Sequence, residues 1–579
     1  MNSENRVCQN CKQSFVIEPD DFDFYEKIKV PAPTWCPECR RQRRFSHRNE
    51  RALYKRQCDS CKKSIISMSP AEALFPVYCS ACWWGDGWSG TQFGTAYDFS
   101  VPFFEQYKRL LQKVPRINLF QRGSFDSPHS NMLAESKRVY LSISIVESED
   151  VDYSWVVDKS FHILDSYNIS NSERCYENRY CDKNYASCYL YLSRNCIDSW
   201  FLFDCVNCKN CALSANLRNK EYMIRNKQYS KDEYLKQMEE IGLGSFRRNE
   251  ELKKKFGQIQ LQAIHKYANI MKSLNVTGDN IMNSKNTREC FDVHDDENVT
   301  RSFRTLSLKD AMDIEYGGIV SELVYEYITG GKTGYGIRWS IAALESDSNL
   351  SYTDYCASSS DIFGCAGLRS KQCCILNKQY TKEEYESLVP KIIQHMNDMP
   401  YIDKKGRAYK YGEFFPSELS TFAYNETIAQ EYFPLTKEQA LAQGYRWKDS
   451  DTKEYVITIK PEVLTDHVKD VDDSILKETI GCQHEGKCAH QCTTAFRIIP
   501  EELSFYRRMN LPLPRLCPNC RHHERLSWRN PLKLWHRQCM CDKPNHLHEG
   551  HCPNEFETSY APERKEIVYC EQCYQAEVV

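Results

Sequence analysis

The sequence predicts a multidomain, β-rich α+β protein: a cysteine-rich module at each end and, between them, a duplicated, parallel β-solenoid-like body with capping helices. Three observations carry this. Residues 11–58 lie on residues 492–539 at a constant offset of 481, with 20 of 48 positions identical. Short β-like runs recur at 141–146, 162–164, 188–192, 201–203 and 222–224, most steps being near 20 residues. The stretch LRNKEYMIRNKQYSKDEY at 217–234 returns as LRSKQCCILNKQYTKEEY at 368–385, with 11 of 18 positions matching.

The totals agree with several folded domains. The 579 residues exceed the usual single domain of about 100–200. Mean hydropathy is −0.64. No window approaches the roughly 18 apolar residues of a membrane span. The start, MNSENRVCQN, has no apolar h-region of a signal peptide. A cytoplasmic setting is therefore expected, where 30 cysteines argue for metal rather than disulfides. The formal charge of −3 understates the acidity, because each Zn(Cys)4 site adds about −2 to a count made with neutral thiols.

Residues 1–84 form the first module. They hold four CxxC pairs: Cys8/Cys11, Cys36/Cys39, Cys58/Cys61 and Cys79/Cys82. A CxxC turn presents two thiolates from one knuckle, and two knuckles complete the tetrahedral site that Zn²⁺ prefers. Sequential pairing joins Cys8, Cys11, Cys36 and Cys39, then Cys58, Cys61, Cys79 and Cys82; a cross-brace would use the same residues. Pro37, inside the second knuckle, fixes φ for a tight turn.

Between these sites runs RRQRRFSHRNERALYKR at 40–56, with eight Lys/Arg and one Glu. Arg40, Arg41, Arg43, Arg44 and Arg48, interleaved with Phe45, His47 and Tyr54, suit phosphate backbone and stacked bases. The plainer reading is charge balance for the thiolates on a solvated helix. The second copy keeps Arg521, Arg525 and Arg529.

Residues 85–135 are a connector in which 102–114 reads as an amphipathic helix after Pro102. Residues 136–245 and 276–400 are the two solenoid-like halves. Each half buries its strands only by stacking on neighbours, and each ends in a helix start, Ser230 with Glu233 and Thr381 with Glu384, written as a capping box. Residues 246–275 join them, with a helix expected over 251–274. His265 there reads as a surface or core histidine rather than a ligand. Cys205, Cys208 and Cys211 form CxxCxxC, part of an iron–sulfur run, but Ala215 occupies the fourth place, so small buried cysteines are the simpler reading. The acidic group Asp292, His294, Asp295, Asp296 and Glu297 reads as a solvated turn before a cation site. Residues 401–480 form a linker with a short helix, Thr436 and Gln439 making its box and Gly444 its stop.

Residues 481–579 repeat the first module with edits. Cys492, Cys517 and Cys520 match Cys11, Cys36 and Cys39, while Ala489 replaces Cys8. Cys488 is the expected fourth ligand, with Cys482, His484 and His490 in reserve. Ten further residues follow Cys539, bringing Cys541, His546, His548 and His551; the offset then becomes 491. Cys539, Cys552, Cys570 and Cys573 form the expected fourth site, Cys541 being the rival of Cys539. Four thiolates leave no open coordination position, which favours structural over catalytic zinc.

The pattern FxIxP…FY…PxPxxCPxCR, at 15–40 and 496–521, resembles the zinc-ribbon or treble-clef domains of uncharacterised bacterial proteins. The whole arrangement is similar to a large family from uncultured, small-genome bacteria. The resemblance covers about the first 84 and last hundred residues and implies zinc; the cysteine sets themselves give the count, about four ions. Three functional classes follow. The first is a non-enzymatic binding scaffold for nucleic acid or ribonucleoprotein. The second is a protein–protein scaffold with structural zincs. The third is a zinc enzyme, which the lack of Walker, GxSxG, HExxH and HxE…PCxxC motifs disfavours.

Overall fold

The computed structural model describes residues 2–449, 455–544 and 546–579. They divide into two compact units. The first comprises residues 2–119, 268–449 and 532–534; the second comprises 120–267, 455–531, 535–544 and 546–579. Each unit therefore joins one cysteine module to one half of the body. The N-terminal module belongs with the second half, and the C-terminal module with the first.

The body of each unit is a parallel β ladder. In the second unit Ile143 pairs with Trp155, Trp155 with Tyr167, and Tyr167 with Arg179. Partners are twelve residues apart, which corrects the expected step of about twenty. Every third residue from Met132 to Arg225 has a left-handed φ near +50°, so the chain bends at regular three-residue intervals. Such corners cost a non-glycine residue roughly 1–2 kcal/mol, and the inter-strand hydrogen bonds offset this.

The interior follows the same count. Leu133, Val139, Ile145, Val151, Val157, Ile163 and Ile169 are buried, and Ser136, Ser142, Ser148, Ser154, Ser160 and Ser166 alternate with them. A buried hydroxyl must be hydrogen-bonded. Ser154 Oγ accepts from Ser166 N at 3.0 Å and donates to the Asp152 carbonyl at 2.9 Å. Ser142 Oγ accepts from Ser154 N at 2.9 Å. Serine columns thus run through the ladder without unsatisfied groups.

Both ladders end alike. Arg225 and Asn226, and Leu376 and Asn377, have positive φ at two successive residues, the requirement of a type I′ turn. The chain then reverses into the antiparallel strands Lys227–Gln228 and Lys378–Gln379. Asn226 bonds both main-chain groups of Ala215, and Asn377 those of Ala366. Helices Lys231–Ile241 and Lys382–Asp398 follow, opened by the Ser230/Glu233 and Thr381/Glu384 boxes. Tyr234 of the former packs with Ala212 and Ile224 of the last rungs.

The helix expected over 251–274 runs instead from Phe246 to Gln262. Ile264–Lys266 is then a strand, parallel to Ile567–Tyr569. Phe103–Leu111 is helical after Pro102, and Lys437–Ala442 is helical behind the Thr436/Gln439 box.

Candidate metal centres

Among the described residues, the two terminal modules bring together four groups of four cysteines, each with sulfurs within 4.8 Å of one another. The first unit holds Cys8, Cys11, Cys36 and Cys39, and Cys58, Cys61, Cys79 and Cys82, which is the sequential pairing. The second holds Cys482, Cys492, Cys517 and Cys520, and Cys539, Cys552, Cys570 and Cys573. Four converging soft sulfurs suit the tetrahedral coordination that Zn²⁺ prefers.

All four are built alike. A β-hairpin supplies the first knuckle of the first site: Glu4–Val7 pairs with Ser14–Ile17, and Lys12, at φ 64°, closes the turn with its N–H on the Cys8 carbonyl at 3.0 Å. A helix start supplies the second. Cys36, Cys79, Cys517 and Cys570 each occupy the N-cap of a helix, where free N–H groups and the helix dipole favour negative charge. The main-chain N–H of each N-cap cysteine donates to the sulfur of the first ligand at 3.2 Å. The pairs are Cys36 to Cys8, Cys79 to Cys58, Cys517 to Cys482 and Cys570 to Cys539. Burial opposes the Cys58 thiolate, but the N–H groups of Cys61, Cys79 and Ser60 outweigh it and lower its pKa to about 7.

This geometry assigns the third site. Cys482 accepts from Cys517 as Cys8 accepts from Cys36, so Cys482 holds the place expected for Cys488. Cys488 lies 3.6 Å from Cys520, in a second group with His484 and His490. In the fourth site Cys539, rather than Cys541, is the structural counterpart of Cys58. The sequence could not place Cys482 in the third site, because Cys482 and Cys492 are no longer a CxxC pair and only the backbone aligns them.

The basic strip lies elsewhere than expected. Arg40, Arg43 and Arg44 are at most 1 % exposed. Arg40 meets Asp313 at 2.6 Å, Arg43 meets Glu413 at 3.1 Å, and Arg44 meets Glu315 at 2.5 Å and Glu326 at 3.1 Å. Arg48 pairs with Glu50 at 2.6 Å and stacks on Tyr316. In the second unit Arg521 pairs with Asp165, and Arg525 with Asp165 at 2.7 Å and Glu177 at 3.4 Å. Arg41 and Arg529 are partly buried. The expected open electropositive face is thus corrected for Arg40, Arg43, Arg44, Arg48, Arg521 and Arg525. Buried guanidinium groups need paired carboxylates, and the ladders provide most of them, Glu413 and Glu50 the others. Burial by itself would raise the Asp313 carboxyl, but Arg40, Arg44 and Arg301 hold it below its ordinary value. At Glu326 burial prevails over Arg43, Arg44 and Arg40 and lifts the carboxyl to about 7. His47 is buried beside Phe414 and Phe415.

The remaining candidates, His265 apart, are ladder residues. Cys205, Cys208 and Cys211 are buried in the interior with Cys196. Cys208 Sγ donates to the Val206 carbonyl at 3.5 Å. Their other contacts are main-chain carbonyls, Cys211 Sγ reaching Lys209 O at 3.3 Å, and burial keeps the Cys205 thiol well above its ordinary pKa. The acidic group is dispersed between rungs: Asp292 accepts from Asn280 at 2.9 Å, Asp295 from Asn283, and Asp296 from Leu308 N at 2.8 Å. His265 is buried between the Gln260 carbonyl at 2.8 Å and the Tyr560 hydroxyl at 3.1 Å.

No helix among the described residues is long and apolar enough to cross a membrane. No protein-family model matches the sequence, and no curated protein matches it. Among solved structures, one described as a "putative acetyltransferase" from Desulfovibrio desulfuricans G20 aligns at 8 % identity and a TM-score of 0.09. The alignment covers 44 % of this chain and 66 % of that one, just under two thirds of its length, and carries no functional argument.

Proposed function

We propose that this chain is a zinc-stabilised, non-enzymatic scaffold. In each unit two zinc sites hold a pair of helices against a four-sided parallel β-solenoid, whose exposed side receives a protein partner. A twelve-residue step with a left-handed corner every third residue supports the four-sided form. The clasp of Arg40 and Arg44 on Asp313, repeated by Arg521 and Arg525 on Asp165, carries the reading. It engages the cations that would otherwise face phosphate, and it makes the zinc helices part of the body. The column Phe125, Lys137, Glu149, Phe161, Glu173, Tyr185 and Ile197, matched rung on rung, sets aromatic and charged side chains along one outer edge. Phe125, Phe161, Tyr185 and Ile197 are exposed there. Such a mixed surface suits a protein partner better than a polyanion.

Affinity capture with and without nuclease tests this. Capture of a defined protein that survives nuclease and high salt supports the scaffold. Loss of the bound partner under either treatment would favour nucleic acid or ribonucleoprotein instead, since phosphate contacts weaken steeply with salt.

A further inference from the structure

Both sites of the C-terminal module carry an insertion at the same structural place. In the N-terminal module the first two ligands are a CxxC pair, Cys8/Cys11 and Cys58/Cys61. In the C-terminal module residues 483–491 separate Cys482 from Cys492, and residues 540–551 separate Cys539 from Cys552. Each insertion brings one cysteine and two histidines back to the site. The first brings His484, Cys488 and His490, the second Cys541, His546 and His548.

We propose that each C-terminal site is a binuclear zinc cluster, with Cys520 and Cys573 as the bridging thiolates. Resting on the zinc reading above, this places a second ion on His484, Cys488, His490 and Cys520, and another on Cys541, His546, His548 and Cys573.

The first donor set is complete in the structure. One ligand atom from each of His484, Cys488, His490 and Cys520 lies within 4.8 Å of the others, and Cys520 Sγ is also 3.8 Å from Cys482 Sγ. Nδ1 of His484 and Nδ1 of His490 are buried without a hydrogen-bond partner. A buried polar atom left unpaired is costly, and a metal ion would satisfy both. His490 is stacked on His523, centroids 5.2 Å apart, which holds its ring in place.

The second set shows the outer hydrogen bonds that orient metal-bound histidines. His546 turns Nδ1 to Cys541 Sγ at 3.4 Å and Nε2 to Glu577 at 3.0 Å. His548 turns Nε2 to Cys573 Sγ at 3.4 Å and Nδ1 to the Gly550 carbonyl at 2.9 Å. In each case one nitrogen is held by an acceptor and the other faces sulfur. Cys573 Sγ is also 3.6 Å from Cys552 Sγ of the four-cysteine site, so it faces both donor sets.

Charge supports the pairing. A lone Zn(Cys)4 centre carries about −2, and adding a zinc with one further thiolate and two neutral imidazoles lowers the magnitude to about −1. The N-terminal sites have no comparable insertion, and there Cys39 Sγ receives the Asn10 amide at 3.3 Å instead.

Native mass spectrometry of the full chain tests the count. The expected result is six zinc ions, falling by one in His484→Ala/His490→Ala and by one in His546→Ala/His548→Ala. A wild-type count of four would overturn this inference and leave the four-site reading intact; fewer than four would overturn both. Should a histidine variant fail to fold, cadmium-113 NMR of the substituted wild-type protein decides alone. Scalar coupling between paired cadmium ions through sulfur is expected, and its absence in a fully loaded protein would refute the bridges.

Discussion

Arg40 Nη2 lies 2.6 Å from Asp313 Oδ2, with both side chains 1 % exposed. The same relationship joins Arg521 to Asp165 in the other unit. Each carboxylate also serves a second arginine one helical turn on, Arg44 and Arg525 respectively. A carboxylate shared by two buried guanidinium groups is where a cysteine module and a ladder become one unit.

Removing that carboxylate takes its nearest partner from Arg40, which keeps only Glu326 at 3.5 Å, and one of three from Arg44. Asp313→Ala is expected to cost about 3–5 kcal/mol in chemical denaturation, the range for breaking a buried pair from one side. Asp165→Ala should do the same in the second unit. A loss below about 1 kcal/mol, typical of exposed pairs, would show that these groups are solvated in the folded protein.

Cys482 and Cys488 should behave differently. Cys482→Ser removes the sulfur that accepts the Cys517 N–H, so the third four-cysteine site should lose its zinc and the Pro518–Ser527 helix its protease resistance. Structural zinc contributes roughly 10–16 kcal/mol of apparent binding energy to small folds. Cys488→Ser should leave that helix protected. Limited proteolysis with zinc analysis reads both, and equal effects would return Cys488 to the place of Cys482.

The serine columns set a third expectation. Ser154→Ala deprives the Ser166 N–H of its acceptor and the Asp152 carbonyl of a donor. The Asp152 carbonyl keeps the Asp165 N–H at 3.1 Å, so a destabilisation of about 1–3 kcal/mol is expected for the one unsatisfied N–H, measured by denaturant midpoint. A neutral result would mean that water enters the ladder.

His265 gives the second unit a pH dependence. Burial lowers its pKa from 6.5 to about 4 despite the Gln260 carbonyl. Between these values the unfolded chain holds a proton that the folded chain does not, so stability rises with pH. Its contribution is complete above about 6.5 and is lost as pH falls towards 4. His265→Phe should flatten the denaturation slope in that window, and an unchanged slope would assign the dependence to other groups.

Local features were readable in the residues alone. The CxxC knuckles, the Ser230/Glu233 and Thr381/Glu384 boxes and the reuse of residues 11–58 each depend on a few neighbouring positions or on direct repetition. The ladder period was harder to see. Interior positions recur every third residue and half of them are serine, so hydrophobicity understates the inside. Serine fits there only because the rung above supplies an N–H, which hydropathy does not register. The halves also drift in register: Asp165 and Glu177 play the parts of Asp313 and Glu326, at offsets of 148 and 149, whereas the terminal repeats stand 151 apart.

Residue types and short spacings were enough to place thiolates in pairs, start helices and mark the duplications, because those interactions close over one turn of chain. Folding over long separations chose the partners. Arg40 and Asp313 are 273 residues apart, and nothing near Arg40 distinguishes a cation meant for solvent from one meant for a buried carboxylate. The same holds for Cys482, whose role is set by the Cys517 N–H that points at it. Charge and coordination are satisfied by whatever the backbone brings within about 3 Å, and that proximity arises only once the ladders have stacked.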